Sequence, residues 1–336
     1  MGVRNATIGQ IAREAGCSPS TVSRVISGYS KGFSVRPELE AKILSLAQEL
    51  NYRPNPYWRS LRTSKTRLIA IFDLLVCGDG VVQNAKREFV LKMREFEYVD
   101  AGKFVDPDIP DSFSLTFPVD GALLFDIADR VCLNFVEGKK IPYVVVNGRC
   151  RENGTAIVAD EEADVRKLVD YLYSLGHRRI AYYAGHKQVI STDVHYSVPA
   201  REVHYLENIE RLGLVQASAH WNRAISPHEF LRKAFHEEQM TAVVCYDHVK
   251  AVKLMHAAWE LGIRIPEDLS VCCFNDEYPL ELLTPPVTCI ATPGREMGRI
   301  AAEVLLEVLE GKRKNCGETI PVQGELVIRQ SVRRLN

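Results

Sequence analysis

ATIGQIAREAGCSPSTVSRVISG, residues 6–28, reads as two short helices and the turn between them. Thr7 followed three residues later by Gln10 is a capping-box pattern, and Ile8, Ile11, Ala12 and Ala15 recur at helical spacing on one face. Gly16 stops that helix. Ser18 suits the cap of a second helix, with Pro19 in the first helical position, where a missing N–H costs nothing. In the second helix Val22, Val25 and Ile26 share a face. Ser20, Thr21, Ser23 and Arg24 project elsewhere, as short hydrogen-bonding groups and one long cation suited to base edges and phosphates. A third helix, Pro37 to about Leu50, offers Leu39, Ile43, Leu46, Ala47 and Leu50 to a small core. Two helices on a tight turn with a third behind them is helix-turn-helix geometry. A small helical bundle with a polar face is the plainer alternative.

The charge distribution favours the first of these. The chain of 336 residues has a net charge of −1, but residues 1–67 carry eleven Lys and Arg against four Asp and Glu, hence +7 there and −8 in the remainder. A basic end of this kind fits a nucleic-acid partner or a solvated surface. With 46% hydrophobic and 25% charged residues the rest is ordinary globular protein, long enough for more than one core. Nine Cys without a CxxC pair, no signal-like opening and no apolar run of membrane length lead to the expectation of a cytoplasmic protein with no membrane segment.

The opening stretch, followed by ILSLAQELNYRPN at residues 43–55, resembles the head of the lactose-repressor (LacI/GalR) family of bacterial transcription regulators. The resemblance places Pro19, Ser20 and Arg24 where the family reads operator bases, and Thr7, Thr21, Ser23 and Ser27 where it touches phosphates. Ser18 joins this set at the helix start. Pro19 departs in kind: it has no side-chain donor, so that position can discriminate only by shape and apolar contact. The next segment, YRPNPYWRSLRTSKTR, carries Arg53, Arg59, Arg62, Lys65 and Arg67, with Asn55 and Pro56 at the start of a helix of about two turns, marginal unless something holds it. In the family this hinge folds on the operator and a leucine wedges into the minor groove; Leu61 is the matching position, with Asn55 and Arg59 beside it. Trp58 stands where the family usually has a small residue. A basic flexible linker is the plainer reading of the segment.

From Leu68 the pattern changes to apolar runs alternating with amphipathic helices, an α/β signature with parallel sheets. Strands are expected at LIAIF, GALLF, PYVVVN, RIAYYAG, AVVCY and LSVCCF, and helices at about Asn84–Tyr98, Glu161–Leu175, Pro199–Leu212, Pro227–His236, His248–Leu261 and Arg295–Leu309. The phrases SLGHRRIAYYAG, ELGIRIPEDLSVCCFND and TPPVTCIATPGREMG resemble the family's core, which is similar to the two-lobed periplasmic sugar-binding proteins. The resemblance implies a helix-turn-helix domain at 1–53, a hinge at 54–66 and a two-lobed core at 67–336. One lobe would comprise 67–162 and 291–322, the other 163–290 and 323–336, with three crossovers and a ligand in the cleft. It places Arg201 as the effector clamp, Asn147 and Asn275 where the family commonly has Asp, Tyr246 and Asp247 where it often has Asn-Asp, and Trp221 at an aromatic position used by galactoside-binding members. Each has a bland reading: Asp247 suits a helix cap, Asn residues suit turns, and Trp221 suits a core.

The Pro- and Asp-rich AGKFVDPDIPDSFSLTF, too irregular for the helix most members have there, looks like the branch containing the evolved-β-galactosidase repressor. That implies a galactoside or related sugar as effector; a purine or other non-sugar co-repressor is the alternative. No phosphate loop, nucleophile elbow or zinc helix is present, so no catalysis, cofactor or metal is expected. His177 reads as structural. Cys272 and Cys273 alternate across a strand and cannot jointly build a standard metal site. A sugar receptor would have no use for the basic head, and a sugar-modifying enzyme would need paired carboxylates. The resemblance therefore implies a homodimer on palindromic double-stranded operator DNA, dimeric rather than tetrameric because no extra heptad helix follows ELVIRQSVRRLN.

Overall fold

The computed structural model describes residues 6–26, 34–52, 65–74, 80–105, 115, 118–125, 130–185, 195–216 and 225–335. Contacts divide the chain into two compact units, Met1–Arg67 and Leu68–Asn336. The described residues of the first form three helices, α1 (Ile8–Ala15), α2 (Pro19–Ile26) and α3 (Pro37–Glu49). Thr7 caps α1, its Oγ1 accepting from the Gln10 N–H at 3.2 Å. The reciprocal half of the capping box does not form, because Gln10 Nε2 donates instead to the carboxylate of Glu14, at 3.2 Å, a charged acceptor one turn on. Gly16 ends the helix at φ 74°, the left-handed conformation that costs a side-chain-bearing residue most. Ser18 caps α2 through its Oγ, 3.1 Å from the Thr21 N–H. Ile11, Ala12, Ala15, Val22 and Ile43 are buried, with Ile8, Val25, Ile26, Leu39, Leu46, Ala47 and Leu50 packed around them. The apolar periodicity thus closes a three-helix core.

The second unit contains two six-stranded sheets of the same topology. One has the order β11-β5-β4-β3-β1-β2 and the other β12-β10-β9-β8-β6-β7. The first is built from β1 (Leu68–Leu74), β2 (Val99–Val105), β3 (Gly121–Phe125), β4 (Tyr143–Val146), β5 (Gly154–Ala159) and β11 (Glu318–Val322). The second is built from β6 (Arg179–Tyr183), β7 (Val215–Gln216), β8 (Ala242–Cys245), β9 (Ser270–Phe274), β10 (Thr288–Ala291) and β12 (Glu325–Val327). All pairings are parallel except β10 with β12, which is antiparallel. Every residue of β3, β4, β5, β8 and β9 is buried, as parallel strands covered on both faces must be.

Helices cover these sheets. On the first, α4 (Gly80–Glu95) and α10 (Gly294–Leu309) pack on the face that holds Ile69 and Ile71, and α5 (Arg130–Gly138) on the face that holds Ala70 and Phe72. On the second, α6 (Glu161–Ser174) and α7 (Ser197–Arg211) cover Cys272, while α8 (Pro227–Leu231) and α9 (His248–Glu260) cover Cys273. The two adjacent cysteines therefore enter opposite cores. The helix beginning at Pro227 is α-helical only to Leu231 and widens to a π-helical turn over Arg232–Glu237. The helix expected from Asn84 begins four residues earlier, at Gly80, and ends at Glu95.

The chain passes between the sheets after β5, after β10 and after β11. The first and third passages lie side by side: the Asp160 N–H donates to the Val322 carbonyl at 2.9 Å. The Gly324 N–H donates to both oxygens of Asp164, at 2.9 and 3.1 Å, and Lys167 Nζ donates to the Gly324 carbonyl at 2.5 Å. The C-terminal tail is fastened through His177, which contacts Thr241 Oγ1 at 2.9 Å and the Arg333 carbonyl at 3.0 Å. Burial lowers the pKa of this imidazole, which favours its uncharged form in this structural position.

Candidate functional site

In the helical unit, Val22 faces the core while Thr7, Ser18, Pro19, Ser20 and Arg24 are exposed and Thr21 and Ser23 are half-buried. The Ser18 hydroxyl bridges Ser20 Oγ at 2.8 Å and Thr21 Oγ1 at 2.9 Å, so the first turn of α2 presents a linked row of hydroxyls. Arg24 stands one turn further along. Ser27, Asn55, Trp58, Arg59 and Leu61 lie outside the described residues. A helix N-terminus with exposed hydroxyls and a cation can bond phosphates and base edges.

In the second unit, Asn147, Tyr246, Asp247 and Asn275 sit where parallel strands end. Asn147 follows β4, Tyr246 and Asp247 follow β8, and Asn275 follows β9. Carboxyl ends of parallel strands are where open α/β sheets bind ligands. Asn147 and Asn275 adopt positive φ, 57° and 67°, a conformation asparagine tolerates better than most residues.

Arg201, on α7, ties several of these together. It is 4% exposed. Its Nε and Nη2 donate to the two oxygens of Glu161, at 2.7 and 3.0 Å, its Nη1 donates to the Tyr246 carbonyl at 2.7 Å, and Nη2 reaches Asn275 Oδ1 at 3.4 Å. The guanidinium also lies 4.4 Å from the Phe274 ring centroid and 5.0 Å from that of Tyr246. Burial alone would disfavour its charge, but the Glu161 carboxylate outweighs that and holds its pKa above the ordinary value. Thr292, just past β10, donates to Asn275 Oδ1 at 2.9 Å.

A second set of bonds joins Asn147, on the first sheet, to the entry of α7, on the second. His195 Nε2 contacts the Asn147 carbonyl at 2.7 Å, which requires a proton on that nitrogen. In the neutral ring Nδ1 then accepts from Ser197 Oγ, at 2.7 Å, and Ser197 in turn accepts from the Tyr246 hydroxyl, at 2.8 Å. The Tyr196 hydroxyl donates to Asn147 Oδ1 and accepts from the Ala159 N–H, both at 3.1 Å. The Glu277 carboxylate lies against Gly80 at the start of α4. Tyr182, wholly buried, leaves its hydroxyl without a partner among the described residues; burial raises its pKa well above the ordinary value, and the charges of Arg201 and Glu161 act on it.

The structure thus brings together Asn147, Arg201, Tyr246 and Asn275. Asp247 stands apart: it caps α9, accepting from the Lys250 N–H at 2.7 Å, with Lys250 Nζ at 3.3 Å. Trp221 lies outside the described residues. Sequence reasoning missed Glu161, Tyr182, His195, Tyr196, Ser197 and Thr292. Asp160-Glu161-Glu162 reads as an acidic helix start, and Asp160 and Glu162 behave so: Asp160 caps α6, and the Glu162 side chain is 62% exposed. Nothing in their spacing says that Glu161 turns inward. No three His, Cys, Asp or Glu among the described residues are placed to hold a metal. No helix among them is long and apolar enough to cross a membrane.

Comparison with known proteins bears on both units. Residues 7–55 match bacterial regulatory proteins of the lacI family, and residues 169–332 match the periplasmic binding protein-like domain; together these take in more than half of the chain. The HTH-type transcriptional repressor PurR of Vibrio vulnificus is 25% identical over 360 residues, 98% of this chain and 100% of that protein. The HTH-type transcriptional regulator KdgR of Bacillus subtilis is 25% identical, over 98% of each chain. Among solved structures, the Lac repressor dimer bound to operator and the anti-inducer ONPF superposes with a TM-score of 0.79 at 20% identity, covering 98% of this chain and 100% of that one. The CelR–cellobiose complex gives 0.63 at 21% identity, covering 97% and 99%. The matched relatives are regulators rather than enzymes. With a helix-turn-helix head, a two-lobed parallel core and these relatives over almost its whole length, the chain belongs to the lacI family of bacterial regulatory proteins and is a DNA-binding transcriptional repressor.

Proposed function

We propose that this repressor controls genes of sugar catabolism, is released from a palindromic operator by a galactoside-type sugar, and acts as a homodimer. The observation that carries the effector reading is the set of uncharged hydrogen-bonding groups at the strand ends, Asn147, Asn275, Tyr246 and Thr292, with Ser197 at the start of α7, around an arginine already neutralised by Glu161. Such a surface suits a hydroxyl-rich neutral molecule. The fold that holds cellobiose in CelR is similar, which supports a sugar in this cleft. Trp221 would stack on the sugar face. Ser20, Arg24 and the Leu61 wedge would carry operator specificity, since Pro19 has no reading group. The domain limits 1–53, 54–66 and 67–336 belong to the same reading, with 54–66 as the hinge.

Effector entering beside Asn147 would compete with the Tyr196 hydroxyl and reset the contacts between the two sheets. In this account that change reaches the hinge and loosens DNA contact. The experiment is a thermal-shift and gel-retardation series with full-length protein, genomic operator fragments and a panel of galactosides, other sugars, purines and amino acids. A shift with a galactoside, accompanied by release of DNA, supports the reading. A shift with a purine alone, accompanied by tighter DNA binding, replaces it with a co-repressor.

A further inference from the structure

Glu161 and Arg201 form a bidentate pair whose side chains are 6% and 5% exposed. Four of the five guanidinium N–H groups are engaged among the described residues: two by Glu161, one by the Tyr246 carbonyl and one by Asn275. One N–H on Nη1 remains, and beside the pair lies the unpartnered Tyr182 hydroxyl. The carboxylate of Asp247 is matched by Lys250, at 3.3 Å, and that of Asp276 by Arg329, at 2.8 Å. Among the described residues of this cluster, Arg201, Lys250 and Arg329 are thus each paired with a carboxylate rather than left for a ligand anion. A carboxylate or phosphate entering here would lose its water and find the Arg201 charge already cancelled by Glu161; in a low-dielectric setting the missing attraction costs at least about tenfold in affinity.

We propose that Glu161 is a specificity-determining residue: it neutralises Arg201 and restricts the cleft to uncharged, hydroxyl-bearing ligands. This rests on the cleft being the effector site, and adds that the charge of the effector is set by one residue. Replacing that carboxylate by an amide leaves Arg201 with an unbalanced positive charge in the same place. The cleft then accepts an acidic ligand that the native protein rejects. Replacing it by aspartate keeps the charge and the exclusion.

The test uses full-length protein with D-galactose and D-galacturonate, one ring with and without a carboxylate, measured by titration calorimetry on wild type, Glu161→Gln and Glu161→Asp. The expected result is a ratio of galacturonate to galactose Kd that falls at least about tenfold in Glu161→Gln and stays near the wild-type value in Glu161→Asp. A Glu161→Gln protein that melts cooperatively and keeps the wild-type ratio overturns the proposal. If wild type binds neither sugar but Glu161→Gln gains galacturonate, the role of Glu161 stands and the galactoside reading falls. Binding of neither sugar by any of the three proteins overturns both. Should Glu161→Gln fail to fold, the wild type decides alone with further matched pairs, glucose with glucuronate and mannose with mannuronate. Tighter binding of the acids overturns the proposal, and tighter binding of the neutral sugars supports it.

Discussion

Arg201 beside Glu161 is costly to bury for either side chain alone, and the pair exists because each supplies what the other lost on leaving water. Arg201→Ala leaves a buried carboxylate unpaired and should lower the unfolding free energy of the core by ~3–5 kcal/mol, read by urea denaturation. The double change Arg201→Met with Glu161→Leu removes both charges and should restore most of it. If the double variant is as unstable as the single one, pairing is not what matters at this site. Loss of effector response in Arg201→Ala has to be read beside that loss of stability, because the residue also holds two strand ends through the Tyr246 carbonyl and Asn275.

Asp164 makes the corresponding statement about pH. Burial, opposed by the Gly324 N–H and by Lys167, raises its carboxyl from 3.8 to about 6. Between those values the folded chain keeps a proton that the unfolded chain has released. Its contribution to stability is therefore complete below the unfolded value and is lost as pH rises through about 6. Asp164→Asn keeps an acceptor for Gly324 and removes the titration. The stability of wild type minus that of Asp164→Asn, measured by urea denaturation at successive pH values, should fall as pH rises from 4 to 7. A difference independent of pH would contradict the assignment.

Between elements, α10 lies tightly against α4 at two glycines. A Cβ on Gly298 would run into the Ala85 carbonyl, and one on Gly294 would stand 2.5 Å from that of Val81. Gly298→Ala should cost ~1–3 kcal/mol by forcing the helices apart, read as a lower Tm of the core without change in the head. The interior strands β1, β3, β4, β6, β8 and β9 are legible because they are apolar runs, and so are six of the core helices. The edge strands β2, β7, β11 and β12 are not, and the reason is physical: an edge strand need bury less, so it carries Asp100, Lys103, Glu318 and Glu325 and admits Pro321. β5 and β10, one place in from an edge, are diluted by Gly154 and Thr288.

The candidate site was legible only in part for a related reason. Arg201, Asn147, Tyr246 and Asn275 could be placed by resemblance, whereas Tyr196 and Glu161 depend on which way a side chain turns at the start of a helix, and spacing does not encode that. Tyr196→Phe removes the hydroxyl shared by Asn147 and the Ala159 N–H. It should cost ~1–3 kcal/mol of core stability. It should also change the effector Kd, whereas a purely local role would leave that Kd unaltered.

For the whole molecule, a repressor must couple a DNA-reading head to a ligand-sensing core. The head supplies an exposed hydroxyl row and Arg24 on a small apolar base; the core supplies two sheets joined by three passages, with the Tyr196 and His195 bonds between them. Arg24→Ala should weaken specific binding by ~1–3 kcal/mol and relax preference at one base position. Leu61→Ala should lower specific affinity far more than non-specific affinity, whereas equal losses would mean that no wedge enters the minor groove.

The most direct measurement is fluorescence anisotropy of the full-length protein, at one fixed salt concentration, on a site selected from genomic DNA, with and without the sugar that shifts its melting. The account predicts a two-fold symmetric site bound ~1,000-fold or more tighter than scrambled DNA, with most of that margin lost when the sugar saturates the cleft. Equal affinity for selected and scrambled DNA, or a specific complex that saturating sugar leaves unchanged, would contradict it.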